Sequence, residues 1–196
     1  MCLKYCYLRY YIILIQKTIF SEPEKVLFRF LYGMMALPAS CRRQDGNFML
    51  HILVIDAQGG GIGKQIIAGI RARKIPADIT AVGTNTLATT AMLKAGADAA
   101  ATGENAVIVG CRKADLIIGP IGIVIADSLY GEISPAMAAA VGRSDARRLL
   151  IPVNKCDNII AGLSKDGNLG TYISDAVRIV AGMSMETAGA APGELC

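Results

Sequence analysis

From Met49 onward the chain alternates between two hydrophobic periods. Short aliphatic runs such as LHILVID (Leu50–Asp56) are separated by stretches in which apolar residues recur every three or four positions. A continuous aliphatic run suits a strand buried on both faces, and the longer period suits a helix packed on it by one side. The pattern predicts a first strand at Leu50–Asp56, a glycine loop, and a helix near Ile62–Arg73 that Pro76 stops. Asp78–Val82 reads as the second strand, Thr86–Ala95 as a helix ending at Gly96, and ADAAAT (97–102) as a weak third strand. GENAVIVGC (103–111) reads as a short helix or turn, with strand left open for Ala106–Val109. ADLIIG (114–119) is the fourth strand, and the period of PIGIVIADSLYGEI (120–133) is ambiguous. Ser134 then caps a helix that opens on Pro135. RRLLIPV (147–153) is the fifth strand, NIIAGL (158–163) a candidate sixth, and Thr171–Met183 the last helix.

Strands alternating with helices predict an α/β domain, because parallel neighbours need crossover helices and those cover both faces. The expected architecture is a doubly wound, mostly parallel sheet of five or six strands, Rossmann-like, in three α/β/α layers. It would span residues 49–183, with 1–48 an N-terminal extension and 184–196 a loose tail.

The first 48 residues change the picture little. The apolar run of MCLKYCYLRYYIILIQKTIF is bounded by Arg9, Gln16 and Lys17 too tightly to cross a bilayer. FLYGMMALPASC resembles a lipoprotein signal only loosely, since Pro38 stands where Leu is expected. An upstream extension before a start at Met49 is the preferred reading, and an amphipathic helix packed on the body is a further alternative.

Charge follows the same division. Residues 1–48 hold seven Lys/Arg and three Asp/Glu, and the remainder holds thirteen of each. The body therefore lacks the basic excess that gathers nucleic-acid phosphates. Six cysteines with no C-x-x-C pair, beside the single His51, argue against a zinc site and a disulfide framework and for a reducing cytoplasm.

The candidate chemistry starts with DAQGGGIGK. At a helix N-terminus the first amides lack partners, and glycines let an anion approach them. This makes Gly59, Gly60, Gly61, Ile62, Gly63 and Lys64 a candidate phosphate loop, against the bland alternative of a tight packing turn. Three known patterns come close. Gly61-Ile62-Gly63-Lys64 resembles the loop of short-chain dehydrogenases, but Asp56-Ala57 replace its Thr-Gly. The Tyr-x-x-x-Lys pair of those enzymes is missing too, for Tyr130 is followed four residues on by Ser134 and Tyr172 by Ala176. The loop also resembles that of ParA/MinD-type ATPases, with Gly59 in place of the signature Lys and Gln65 in place of the Mg²⁺-binding Thr/Ser. The dinucleotide spacing G-x-G-x-x-G, read from Gly59 and Gly61, ends on Lys64. No Asp or Glu lies between Asp78 and Asp98 to hold a ribose diol after the second strand, so NADP or another phosphorylated nucleotide is expected ahead of NAD.

Ligands of open parallel sheets sit outside the carboxyl ends of the strands. Those ends add Gly83, Thr84, Asn85, Thr102, Gly119 and Asn154 to the candidate binding residues. Thr84-Asn85-Thr86 equally suits a helix cap. Glu104, Asp127 and Lys155 are acid/base candidates, each weighed against a solvated or capping charge. Cys156 beside Lys155 is read as an idle thiol before a nucleophile. Asp56 is a candidate metal or hydroxyl partner, and His51 is read as packing; no metal site is expected.

VIDAQGGGIGKQ, ITAVGTNTLATTAMLKAGADAAATGENAV, ADLIIGPIGIVIADSLYGEISPAMAAAVG and LLIPVNKC resemble a family of small bacterial proteins described as domain of unknown function 3842. The resemblance implies a Rossmann-like domain without an assigned reaction and places residues 1–48 outside it. The combined expectation is a cytoplasmic nucleotide- or NAD(P)-binding domain whose partner is a small-molecule nucleotide. A homo-oligomer is left open, and neither nucleic acid nor membrane is expected. A sensor without chemistry and a degenerate P-loop NTPase are the alternatives, the latter weakened by Gln65, a poor Mg²⁺ ligand.

Overall fold

A computed structural model describes residues 49–153, 160 and 168–189. The five strands are β1 (Leu50–Asp56), β2 (Ala77–Gly83), β3 (Ala99–Thr102), β4 (Leu116–Pro120) and β5 (Arg147–Ile151). The helices are α1 (Gly61–Ala72), α2 (Thr86–Lys94), α3 (Glu104–Cys111), α4 (Pro135–Arg143) and α5 (Leu169–Gly189), with a 3-10 turn at Ile121–Val124. All strand pairs are parallel, in the order β3-β2-β1-β4-β5.

Side-chain alternation along β1 builds both cores. Leu50, Ile52 and Val54 pack with Ile66, Ile67 and Ile70 of α1, Met92 of α2 and Val177 of α5. Leu53 and Ile55 point the other way, onto Val107 of α3 and Met137 and Val141 of α4. Each fully buried aliphatic side chain contributes about 2 kcal/mol from area removed from water, and the sheet centre is built almost entirely of them. The result is three layers, with α1, α2 and α5 on one face and α3 and α4 on the other.

The differences from the sequence pattern are local. β3 begins at Ala99, since Asp98 turns aside to accept the Ile79 amide (2.7 Å). Residues 104–111 form a helix: Gly103, at φ 97°, turns the chain into it, Glu104 suits its positive end, and Val107 and Cys111 face the core. The ambiguous stretch becomes the 3-10 turn and then an irregular strap, residues 125–134. α5 runs on to Gly189, so the expected tail begins as helix, in keeping with the helix-favouring Met185, Glu186 and Ala188. The candidate sixth strand lies outside the described residues apart from Ile160, which is in no regular element.

Candidate functional site

Strand order reverses direction between β1 and β4, so the connections after them leave on opposite faces and open a crevice at their carboxyl ends. Register holds this rim level, with Asp56 opposite Gly83 and Gly83 opposite Thr102.

The glycine loop joins β1 to α1 through two left-handed residues, Gln58 (φ 55°) and Gly60 (φ 66°). Gly60 is needed twice over, because a Cβ there would also lie 2.7 Å from Cα of Ala88 in α2. Gly63 lets α1 settle against Met92 and Asp56. Gly59 and Gly61 differ: a Cβ on either would meet nothing within 4 Å.

Resident carboxylates occupy much of the loop's backbone. Asp56, 4% exposed, accepts the amides of Ala57 (2.8 Å) and Gly63 (2.7 Å) and so caps α1, whose own N-cap Gly60 has no side chain for it. The Gln58 amide donates to Oε2 of Glu132 (2.9 Å), and that of Gly60 to the Ala57 carbonyl (3.0 Å). The amides of Gly59 and Gly61 donate to no described residue. Both oxygens of Asp56 accept from the backbone of the loop.

Glu132 reaches the loop from the strap. Its Oε2 also accepts the Thr84 hydroxyl and Nδ2 of Asn85 (3.0 Å), so one carboxylate oxygen ties the end of β1 to the end of β2. Asn85 closes the circuit. It caps α2 through the Ala88 amide (2.9 Å) and donates Nδ2 to the Gln58 carbonyl (2.9 Å). The strap is held in a costly conformation, with Asp127, Leu129 and Tyr130 all at φ of 54–62°. Burial of Leu129, the Ser128 hydroxyl on the Gly122 carbonyl (2.5 Å) and the Asp127 amide on the Ile133 carbonyl (2.8 Å) keep it there.

The two acids titrate in opposite directions. Burial pushes Asp56 above the usual carboxylate value against the pull of its amide partners, and the neighbouring Glu132 charge adds to the rise. Burial pushes Glu132 up as well, but the hydrogen bonds from Gln58, Thr84 and Asn85 outweigh it and hold the carboxyl below its ordinary value.

Other candidates from the sequence are scattered. Lys64 is exposed on the first turn of α1. Gly83 leaves room for α2, as a Cβ there would lie 2.5 Å from the Thr89 amide, and Gly119 lies against the Ile55 carbonyl. Thr102 pairs its hydroxyl with Thr89 (2.6 Å). Glu104 accepts the Ser134 hydroxyl, tying α3 to α4. Asp127 is an exposed turn residue. Asn154, Lys155 and Cys156 lie outside the described residues. Cys111 is the one thiol among the described residues, and burial pushes it up to about 11, which keeps it from acting as a nucleophile. His51 sits at the opposite end of the sheet against Asp78 (2.9 Å). Glu132 was invisible to motif reasoning, because its partners lie 47 to 74 residues away. Its only signal was an acid just before a well-capped helix.

Among the described residues no helix is long and apolar enough to cross a membrane, and no three His, Cys, Asp or Glu side chains gather as a metal site. Parallel strands in the order 3-2-1-4-5, helices on both faces and a glycine turn at the switch point define a Rossmann-like domain. Within that class, residues 51–185 match the family described as Domain of unknown function (DUF3842), and the chain belongs to it. Comparison with curated proteins and with solved structures found no match.

Proposed function

We propose that the domain binds a phosphorylated nucleotide in the crevice at the carboxyl ends of β1, β2 and β4. The observation that supports this is the split among the loop glycines. Packing explains Gly60 and Gly63, but a Cβ at Gly59 or Gly61 would meet nothing within 4 Å among the described residues beyond its own chain neighbours and helix backbone. Three consecutive glycines cost backbone entropy, and a turn that only packs needs one of them here. An anion approaching over Gly59 and Gly61 makes use of the other two: no described residue accepts from their amides, and Lys64 adds a charge beside the end of the helix that Asp56 caps.

Binding without chemistry, as in a sensor, is the reading the acid candidates favour. Glu104 is tied to Ser134, and Asp127 is an exposed turn residue. The test is a thermal-shift screen of the full chain with NAD, NADP, ATP, GTP and nucleoside monophosphates. A ligand that binds only the native state raises its melting temperature by mass action. A rise of several degrees with one nucleotide class is expected, and no rise with any at millimolar concentration would overturn the proposal. Turnover of NADPH, or Mg²⁺-dependent hydrolysis of ATP, would displace the sensor reading.

A further inference from the structure

We infer that Glu132 is the ribose-reading residue of this crevice, and that the ligand is a nucleotide whose ribose keeps its free 2′ and 3′ hydroxyls. The inference rests on the nucleotide reading above and deepens it. In dinucleotide-binding sheets of this order a carboxylate at the end of β2 accepts the ribose diol, while an Arg there accommodates a 2′-phosphate. β2 and its turn supply no acid of their own, since Asp and Glu are missing from residues 79–97. The strap supplies one from elsewhere in the chain, placing the Glu132 carboxylate against Thr84 and Asn85, the two residues that follow β2.

The chemistry of that carboxylate fits a diol. All three donors that hold Glu132 converge on Oε2, and Oε1 accepts from no described residue. The side chain is half-buried, and Oε1 is not among the sealed polar atoms of the described residues, so a ligand can reach it from solvent. An ionised carboxylate is an acceptor only, which suits hydroxyl donors and repels a phosphate. The hydrogen bonds that depress its pKa keep it ionised at neutral pH. Thr84-Asn85-Thr86-Leu87 offers no Lys or Arg to offset a 2′-phosphate. The left-handed turn at Asp127, Leu129 and Tyr130 holds the chain just ahead of Glu132 in a costly conformation, as is common where strain positions a functional group. On this inference an unphosphorylated ribose is favoured, where the missing acid alone favours NADP.

The experiment is isothermal calorimetry on the full chain with two ligand pairs, NAD against NADP and ADP against 2′-deoxy-ADP. It is repeated with Glu132→Gln and Glu132→Asp, whose thermal stability is recorded alongside. A hydrogen bond to a charged group corresponds to about tenfold in affinity or more. Wild type is therefore expected to favour NAD over NADP, and ADP over its 2′-deoxy form, by about tenfold or more. Glu132→Gln should bring the NAD-to-NADP ratio close to one. Equal or tighter binding of NADP by wild type, or an unchanged ratio in a folded Glu132→Gln protein, would overturn the assignment while leaving nucleotide binding in place. Absence of heat with all four ligands would overturn the nucleotide reading and this assignment with it. The two wild-type comparisons decide the matter even if both variants fail to fold.

Discussion

At the amino end of the sheet, Asp98 accepts the Ile79 amide (2.7 Å) and the Arg71 guanidinium (2.5 Å), whose other nitrogens donate to the carbonyls of Gly96 (2.7 Å) and Ala77 (3.1 Å). His51 pairs with Asp78 there and gives its amide to Asp115 (3.0 Å). At the carboxyl end, Asp56 and Glu132 hold the loops just as firmly, but Glu132 Oε1 and the amides of Gly59 and Gly61 are unspent among the described residues. Both ends fasten loops to strands with acids. Asp78 and Asp98 at the amino end also take their partners on one oxygen each, Oδ2, as Glu132 does on Oε2, and the carboxyl end adds a pair of donors, the Gly59 and Gly61 amides, that no described residue accepts. A spare carboxylate oxygen therefore does not tell the two ends apart, whereas the donor pair at the start of α1 agrees with the rule that open parallel sheets bind at the carboxyl rim.

The largest effect should come from treating the loop glycines alike. Gly60→Ala combines a left-handed residue with a collision against the Ala88 backbone and should cost about 3 kcal/mol in urea unfolding. Gly59→Ala should stay within about 1 kcal/mol of wild type. Similar losses at both positions would erase the distinction between packed and open glycines.

Next comes Arg71→Ala at the amino end. It removes hydrogen bonds to two carbonyls and a carboxylate, but Arg71 and Asp98 are partly exposed, so a cost of about 1 kcal/mol is expected. Nucleotide affinity should not change, and a loss of binding would show that the two ends are coupled.

A smaller effect is expected with pH. Asp98 and Glu132 have folded pKa values below their ordinary ones. Burial raises Asp98, but the Ile79 amide and Arg71 more than offset it. Both groups contribute stability that is present above the ordinary carboxylate range and lost as pH falls through the folded values. Asp56 runs the other way, because its raised value imposes a penalty at neutral pH that protonation relieves. Unfolding curves between pH 7 and 3 should thus show acid destabilisation, with a flatter acid limb in Asp98→Asn and Glu132→Gln. An unchanged limb in both would contradict the assigned hydrogen bonds. The smallest effect is Lys64→Ala, which should leave stability alone and weaken nucleotide binding severalfold by removing an exposed charge.

Much of the fold was legible because it rests on local signals. β1 shows its full length as an aliphatic run, and Ser134-Pro135 announces α4, with the Ser134 hydroxyl accepting the Met137 amide as a cap should. The short α3 was ambiguous because Ala106–Val109 suits either state, and the sheet it packs on decided. The site was legible only in part. Three glycines in a row marked the loop, but which of them face open space depends on α2, and no spacing rule contains that contact. Glu132 reaches Thr84 and Asn85 from a strap with no periodicity, so no spacing rule in the sequence places a carboxylate beside the end of β2.

The most direct test of the carboxyl rim is calorimetric nucleotide affinity of Gly61→Val measured beside its urea stability. A Cβ at Gly61 meets nothing within 4 Å among the described residues beyond its own chain neighbours and helix backbone, and its backbone is not left-handed, so the protein should fold to within about 1 kcal/mol of wild type. The same side chain would stand where the phosphate approaches, and binding should be abolished. A Gly61→Val protein that binds nucleotide as wild type does would contradict the account and leave the glycine loop a packing turn.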